Sequence, residues 1–176
     1  DSALVMVFDL IRVLISAQKV CEDDNVEITA TITDGADSNY IYVWDFGQGP
    51  PVNSDSIVTS FVYTAVGTYS VSLTVVGAPA CVTDSLNINP VVVFASPDAE
   101  FIANPTSTTT RGPYVVFTDQ STGGLLPGEN IISWFWDFGD GQFADSANPI
   151  HFYTDSGTFT VLLVVTNGLG CTDSQI

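Results

Sequence analysis

The sequence predicts an all-β protein made of two tandem β-sandwich modules. Three observations carry that expectation: an internal repeat near 90 residues, period-two alternation of apolar residues, and a turn-rich composition thin in helix formers. Val, Thr, Gly, Asn, Asp and Pro recur throughout, and no long Ala/Glu/Lys/Leu/Arg stretch is present.

The repeat is explicit. Val43-Trp44-Asp45-Phe46-Gly47-Gln48-Gly49 matches Phe135-Trp136-Asp137-Phe138-Gly139-Asp140-Gly141. Tyr63-Thr64-Ala65-Val66-Gly67-Thr68-Tyr69-Ser70-Val71 matches Tyr153-Thr154-Asp155-Ser156-Gly157-Thr158-Phe159-Thr160-Val161. Cys81-Val82-Thr83-Asp84-Ser85 matches Cys171-Thr172-Asp173-Ser174, and Val26-Glu27-Ile28-Thr29 matches Val115-Val116-Phe117-Thr118. The offset stays between 89 and 92 residues, the size of a small sandwich. Its drift locates two insertions, residues 123–130 before the second Trp and Pro50-Pro51-Val52-Asn53 after the first. Insertions concentrate in loops, so both are expected on the surface.

The repeat phase sets the boundaries. Residues 1–10 read as the last strand of a preceding module or a linker, 11–95 as the first sandwich and 96–176 as the second. Residues 86–94 read as one last strand. The second copy reaches Ile176 where its own last strand is expected to begin, so that strand is expected to be missing or truncated. Such an edge would leave backbone groups unpaired, and residues 3–8 of a neighbouring chain are suited to fill it. The linker Ala95-Ser96-Pro97-Asp98 is short, which favours a semi-rigid joint.

Within the copies, Tyr69, Val71, Leu73 and Val75 share one face, with Ser70, Ser72 and Thr74 opposite. The second copy keeps Phe159, Val161, Leu163 and Val165 but replaces Ser72 and Thr74 with Leu162 and Val164. A strand apolar on both faces is usually covered on both. Leu162 and Val164 are thus a candidate contact surface; the plainer alternative is local variation, since single exposed apolar residues are ordinary. Trp44 and Trp136, with Tyr63 and Tyr153, are expected in the core. Phe135 then faces outward, to touch a sugar or partner or simply to pack at an edge. In Asp137-Phe138-Gly139-Asp140-Gly141, two glycines and two acids suit a tight connection that needs positive φ and side-chain hydrogen bonds to backbone.

Charge narrows the partners. Twenty acidic residues face only Arg12, Lys19 and Arg111, a net charge of −17. That excludes nucleic acid and anionic membrane as natural partners. A self-repelling soluble surface explains the excess, as does a high-salt habitat. Bound Ca²⁺ also would, with Asp137, Asp140 and Asp145, or Glu22, Asp23 and Asp24, as oxygen ligands. Neither set has the EF-hand spacing. The most apolar stretch, residues 3–17, is interrupted by Asp9 and Arg12 and is too short to span a bilayer. It lacks the positive start of a signal peptide, and the chain reads as a piece of a longer secreted protein. His151 is the only histidine, and no nucleophile elbow, phosphate loop or zinc spacing accompanies it, so no catalytic residue is expected. Cys21, Cys81 and Cys171 are an odd number.

The Trp-Asp-Phe-Gly-Asp-Gly run, Pro149-Ile150-His151-Phe152-Tyr153 and the following Gly-Thr-Phe-Thr-Val together resemble the PKD (polycystic kidney disease) domain, over nearly all of both copies. Ser96-Pro97-Asp98-Ala99-Glu100-Phe101 resembles that family's first strand. The ending Gly170-Cys171-Thr172-Asp173-Ser174 is similar to versions in secreted Bacteroidetes proteins, including adhesins and gliding-motility filaments. The resemblance implies two tandem Ig-like antiparallel β-sandwiches and a non-catalytic structural or adhesion role. That role would be a stalk or filament on a bacterial cell surface, its partners neighbouring repeat modules or further copies of the chain. The alternative is a glycan- or protein-binding accessory module of a secreted enzyme, with Phe135, Tyr40 and Tyr114 as aromatics to test. It also implies a structural hydrogen bond for His151. In such a sandwich Cys21 and Cys81 fall near opposite ends, whereas an end-to-end array would bring Cys21 beside Cys171. A disulfide from Cys21 to Cys81 and one to Cys171 both stay open. The first copy departs from the pattern, with Gln48 in place of the second Asp and Phe61 in place of His.

Overall fold

Period-two alternation bounded by Gly, Pro and Asx turns becomes strand after strand. The computed structural model describes residues 11–15, 20–32, 41–76, 84–87, 90–109 and 111–176. Expectations that fall on residues 3–8, Tyr40 or Cys81 lie outside that set. The chain divides into two compact units, Asp1–Val93 and Phe94–Ile176, and the described residues form only strands, turns and loops.

The first unit holds β1 (Ile11–Ile15), β2 (Val20–Cys21), β3 (Asn25–Ile32), β4 (Ile41–Asp45), β5 (Val52–Ser54), β6 (Val58–Val62), β7 (Gly67–Tyr69), β8 (Ser72–Val76), β9 (Asp84–Asn87) and β10 (Val91–Phe94). One sheet has the order β1-β3-β6 and the other β5-β4-β8-β9. A third, small sheet runs β2-β10-β7. The core is Trp44, Phe46, Tyr63, Val71 and Leu73, with Val26, Ile28, Val91 and Val93 in the same cluster.

The second unit repeats this plan with β11 (Phe101–Asn104), β12 (Tyr114–Asp119), β13 (Ile131–Asp137), β14 (Phe143–Ala144), β15 (Ile150–Phe152), β16 (Leu162–Asn167) and β17 (Thr172–Gln175). Its sheets are β11-β12-β15 and β14-β13-β16-β17, and its core gathers Trp136, Phe138, Phe117, Leu163 and Val165. β13 and β16 pair antiparallel, with Trp136 opposite Leu163. The equivalent pair in the first unit is Trp44 opposite Leu73. The protein is therefore all-β, two tandem Ig-like sandwiches.

Two expectations need correction. Residues 86–94 are not one strand: β9 pairs with β8, while β10 joins the other small sheet. Pro90 lies between them and cannot donate to a ladder, so the chain changes sheets there. The insertion at residues 123–130 is not wholly exposed either. Leu125 stands free, but Glu129 is buried at 1% exposure.

Candidate functional site

The Trp-Asp-Phe-Gly motif forms the same turn in each unit. Asp45 Oδ1 accepts from the Gly47 amide at 2.9 Å, and Asp137 Oδ1 accepts from the Gly139 amide at 2.9 Å. Gly47 and Gly139 have φ of 72° and 76°, where a Cβ is disfavoured. At Gly139 an added Cβ would also run into the Thr160 carbonyl oxygen.

From this turn a ladder of aromatic rings crosses each core. In the first unit Phe46 stacks on Phe61 at 4.3 Å, Phe61 meets Tyr63 edge-on at 4.9 Å, and Tyr63 stacks on Tyr69 at 4.6 Å. In the second, Phe138 stacks on His151 at 4.0 Å, His151 meets Tyr153 edge-on at 4.5 Å, and Tyr153 stacks on Phe159 at 4.4 Å. Trp44 and Trp136 head the two ladders, each near-parallel to its Phe. Tyr63 and Tyr153 donate their hydroxyls to the carbonyls of Phe46 and Phe138, tying the ladder to the turn. Burial pushes both phenols up to about 12, helped by Tyr69 beside the first and Asp140 beside the second.

The exchange of one ring changes the chemistry above it. His151 Nε2 lies 2.8 Å from Asp140 Oδ2, with both side chains mostly covered. Asp140 Oδ1 accepts from the Gln142 amide. Burial works against ionising Asp140, but the hydrogen bonds from His151 and the Gln142 amide outweigh it, and the carboxyl sits below its ordinary value. Phe61 offers no such partner, and there Gln48 Oε1 instead accepts from the Thr64 amide. His151 is thus fixed by an aromatic face, an aromatic edge and a carboxylate. Asp137 and Asp140 already accept turn amides, and the set with Asp145 does not gather. Among the described residues no three of His, Cys, Asp and Glu form a group able to hold a metal ion, which applies equally to Glu22, Asp23 and Asp24.

Of the expected outward residues of the second unit, Phe135 is exposed, while Leu162 and Val164 are only partly so. Phe135 is 45% exposed and stacks at 5.6 Å on Phe143, itself 60% exposed. Val164 lies opposite Phe135, and Leu162 opposite Asp137. On the other sheet, exposed Tyr114 lies opposite exposed Phe152, their rings 6.2 Å apart. The same positions in the first unit hold Val43 opposite Thr74 and Asn25 opposite Val62.

Two further features lie in the second unit, of which the burial of Glu129 was not foreseen. Glu129 Oε1 accepts from the Ala95 amide at 3.0 Å and Oε2 from the Leu126 amide at 2.7 Å, while Asn167 Nδ2 donates to the Ala95 carbonyl. Ala95, read as linker, is therefore gripped on both sides of its residue by second-unit side chains. The paired Gly123-Gly124 was the available signal, since any Cβ at either would collide with Glu129. The second feature is a groove of about 820 Å³ lined by residues 105–109 and 157–161, with the buried Val115, Phe117 and Tyr153 behind it. Cys21 and Cys171 are both disulfide-bonded. Among the described residues no helix is long and apolar enough to cross a membrane.

The PKD domain family model matches residues 11–89 and 94–176. The chain is 44% identical over 46 residues to the pre-pro-metalloprotease PrtV of Vibrio cholerae, covering 26% of the chain and 5% of that protein. It is 37% identical over 65 residues to collagenase ColA of Bacillus cereus, covering 34% and 7%. A microbial collagenase of Vibrio alginolyticus is 27% identical over 158 residues, covering 83% and 18%. The chain thus spans less than a fifth of the length of these relatives. Among solved structures, a PKD1 domain from Vibrio cholerae metalloprotease PrtV aligns at 34% identity and TM-score 0.38, covering 46% of this chain and 89% of that one.

Proposed function

The chain belongs to the PKD domain family, one domain in each unit, and on that premise we propose that it is a non-catalytic extracellular accessory module whose second domain makes the contacts. The observation that carries this is the one-sided distribution of outward aromatics. Among the described residues, Phe135 with Phe143, and Tyr114 with Phe152, present ring pairs, and the first domain has Val43, Asn25 and Val62 at the positions of Phe135, Tyr114 and Phe152. Exposed paired rings suit a sugar face or an apolar protein ridge. The candidate reactive groups, Asp137, Asp140, His151 and Tyr153, already hold the turn and the ladder. Disulfide-bonded Cys21 and Cys171 fit an oxidising compartment. The partner of Cys21, Cys171 or Cys81, is read by non-reducing peptide mapping.

The test is co-sedimentation with fibrous collagen, the polymer in the names of two relatives, and with insoluble polysaccharide. The chain is expected to pellet with one of them, and Phe135→Ser with Phe143→Ser to stay in solution. No pelleting with either, or pelleting unchanged by the double substitution, contradicts the reading.

A second reading, a stalk or filament of the bacterial cell surface, draws on the tandem arrangement of two like domains. Adhesins and filaments of the Bacteroidetes type belong to that reading.

A further inference from the structure

The turn of the second domain stands beside an open sheet edge. Among the described residues β15 ends the sheet β11-β12-β15, as β6 ends its counterpart in the first domain, so the edge belongs to the shared plan of the fold. The Phe117 amide donates to the Pro149 carbonyl and the Tyr153 amide to the Pro113 carbonyl, and Val115 lies opposite His151. An antiparallel ladder bonds alternate residue pairs. Ile150 and Phe152 fall between the bonded pairs, so their amides and carbonyls point away from β12, towards the edge. Their side chains are each 59% exposed.

A groove of about 350 Å³ adjoins that edge. Asp140 and Gln142 line it from the turn, and Ile150, Phe152, Thr154 and Asp155 line it from β15 and the residues that follow. Both acids are private to the second domain, since Gln48 stands at the position of Asp140 and Ala65 at that of Asp155. In the first domain Gln48 also spans this space. Its Oε1 accepts from the Thr64 amide and its Nε2 donates to the Thr64 hydroxyl. In the second domain Asp140 turns to His151 instead, and Thr154 stays on the groove wall.

We propose that this groove binds an extended, basic peptide segment of a partner protein, which adds to β15 as a further strand. The backbone of Ile150 and Phe152 supplies the ladder. Side chains of an added strand alternate between the faces of the sheet. Apolar residues of the segment lie beside Ile150 and Phe152, and the Lys or Arg residues between them turn to Asp140 and Asp155. The groove holds two acids and no Lys or Arg, and the net charge of −17 repels an acidic segment. The proposal does not rest on the outward ring pairs: it uses the backbone of Phe152 and leaves Phe135 and Phe143 free.

The probe is a fluorescent peptide, Lys-Val-Lys-Val-Lys-Val, titrated into the whole chain. It should bind, less tightly at high salt, and slow amide exchange at Ile150 and Phe152. Lys-Pro-Lys-Pro-Lys-Pro keeps the charge but lacks alternate amides, and Glu-Val-Glu-Val-Glu-Val reverses the charge. Both should bind more weakly by about tenfold or more. Asp155→Ala installs the first domain's residue and should weaken Lys-Val binding about threefold, as for a partly exposed charge pair. Phe135→Ser with Phe143→Ser should leave that binding unchanged, which separates this site from the ring-pair surface. The proposal is overturned by a Lys-Val peptide that does not bind, or that binds without slowing Ile150 and Phe152. Equal binding of either control peptide, binding indifferent to Asp155→Ala, or binding lost with Phe135 and Phe143 overturns it as well.

Discussion

Both domains stand on the same five-ring ladder, and they differ at one rung. Phe61 holds the position in the first domain and His151 in the second, with nearly the same stacking on the Phe of the turn. A hydrophobic ring and an imidazole are interchangeable there because the rung is set by shape. What the imidazole adds is one edge nitrogen, and that edge meets Asp140, where the first domain has Gln48. The ladder is thus the constant of the fold, and the polar groups above it vary together.

Removing the head of the ladder is the largest test of that constancy. Trp44→Ala and Trp136→Ala should each cost the affected domain about 3–5 kcal/mol, equally in both, by denaturant unfolding. Unequal losses would mean that the ladders are not equivalent supports. Glu129→Ala comes next, because it leaves the part-buried amides of Ala95 and Leu126 without their acceptor. A loss of roughly 1–3 kcal/mol confined to the second domain is expected. A loss of the same size in the first domain would contradict that placement.

A smaller difference separates the two Trp side chains. Trp136 Nε1 donates to the Ser146 carbonyl at 2.9 Å. Trp44 Nε1 is buried with no hydrogen-bond partner. Trp136→Phe should therefore cost about 1 kcal/mol more than Trp44→Phe, in the same unfolding measurement.

The pH dependence distinguishes shared from private features. Asp140 has a lower pKa folded than unfolded, so its stabilisation is complete above the ordinary carboxyl range and is lost as pH falls through the folded value. Asp140→Gln with His151→Phe installs the first domain's pair and should remove that acid-side component from the second domain's melting curve. Tyr63 and Tyr153 run the other way and in both domains. Their stabilisation is whole below about 10 and is lost as pH rises towards about 12. Phenolate absorbance against pH should show both titrating late, and Tyr63→Phe or Tyr153→Phe should each remove one late step.

The legible part of the fold followed from local rules. The Trp-Asp-Phe-Gly turn, the core side of Val71 and Leu73, and the repeat itself need only spacing and turn chemistry. The outward side of Phe135 followed from its parity with Trp136. The Asp140–His151 contact joins residues that a linear pattern places in separate elements, and only the register of β12 with β15 sets His151 in reach. Glu129 itself carried no mark, because charge in a Gly- and Pro-rich insertion normally marks solvent, and only the neighbouring Gly123-Gly124 pointed to a close approach. Its burial depends on amides of Ala95 and Leu126 converging on it, a tertiary event. The split of residues 86–94 into β9 and β10 is marked in the sequence by Pro90, but the apolar run after it reads as a continuation of the same strand.

The central claim is that the two domains stand on equivalent ladders and differ in the polar pair above one rung, Asp140 with His151 in the second where the first has Gln48 with Phe61. Unfolding of the native chain against pH, beside Asp140→Gln with His151→Phe, tests this directly. The second domain of the native chain should lose stability on acidification that the double variant does not lose, with the first domain the same in both. An acid dependence of the second domain unchanged by the double substitution would contradict it.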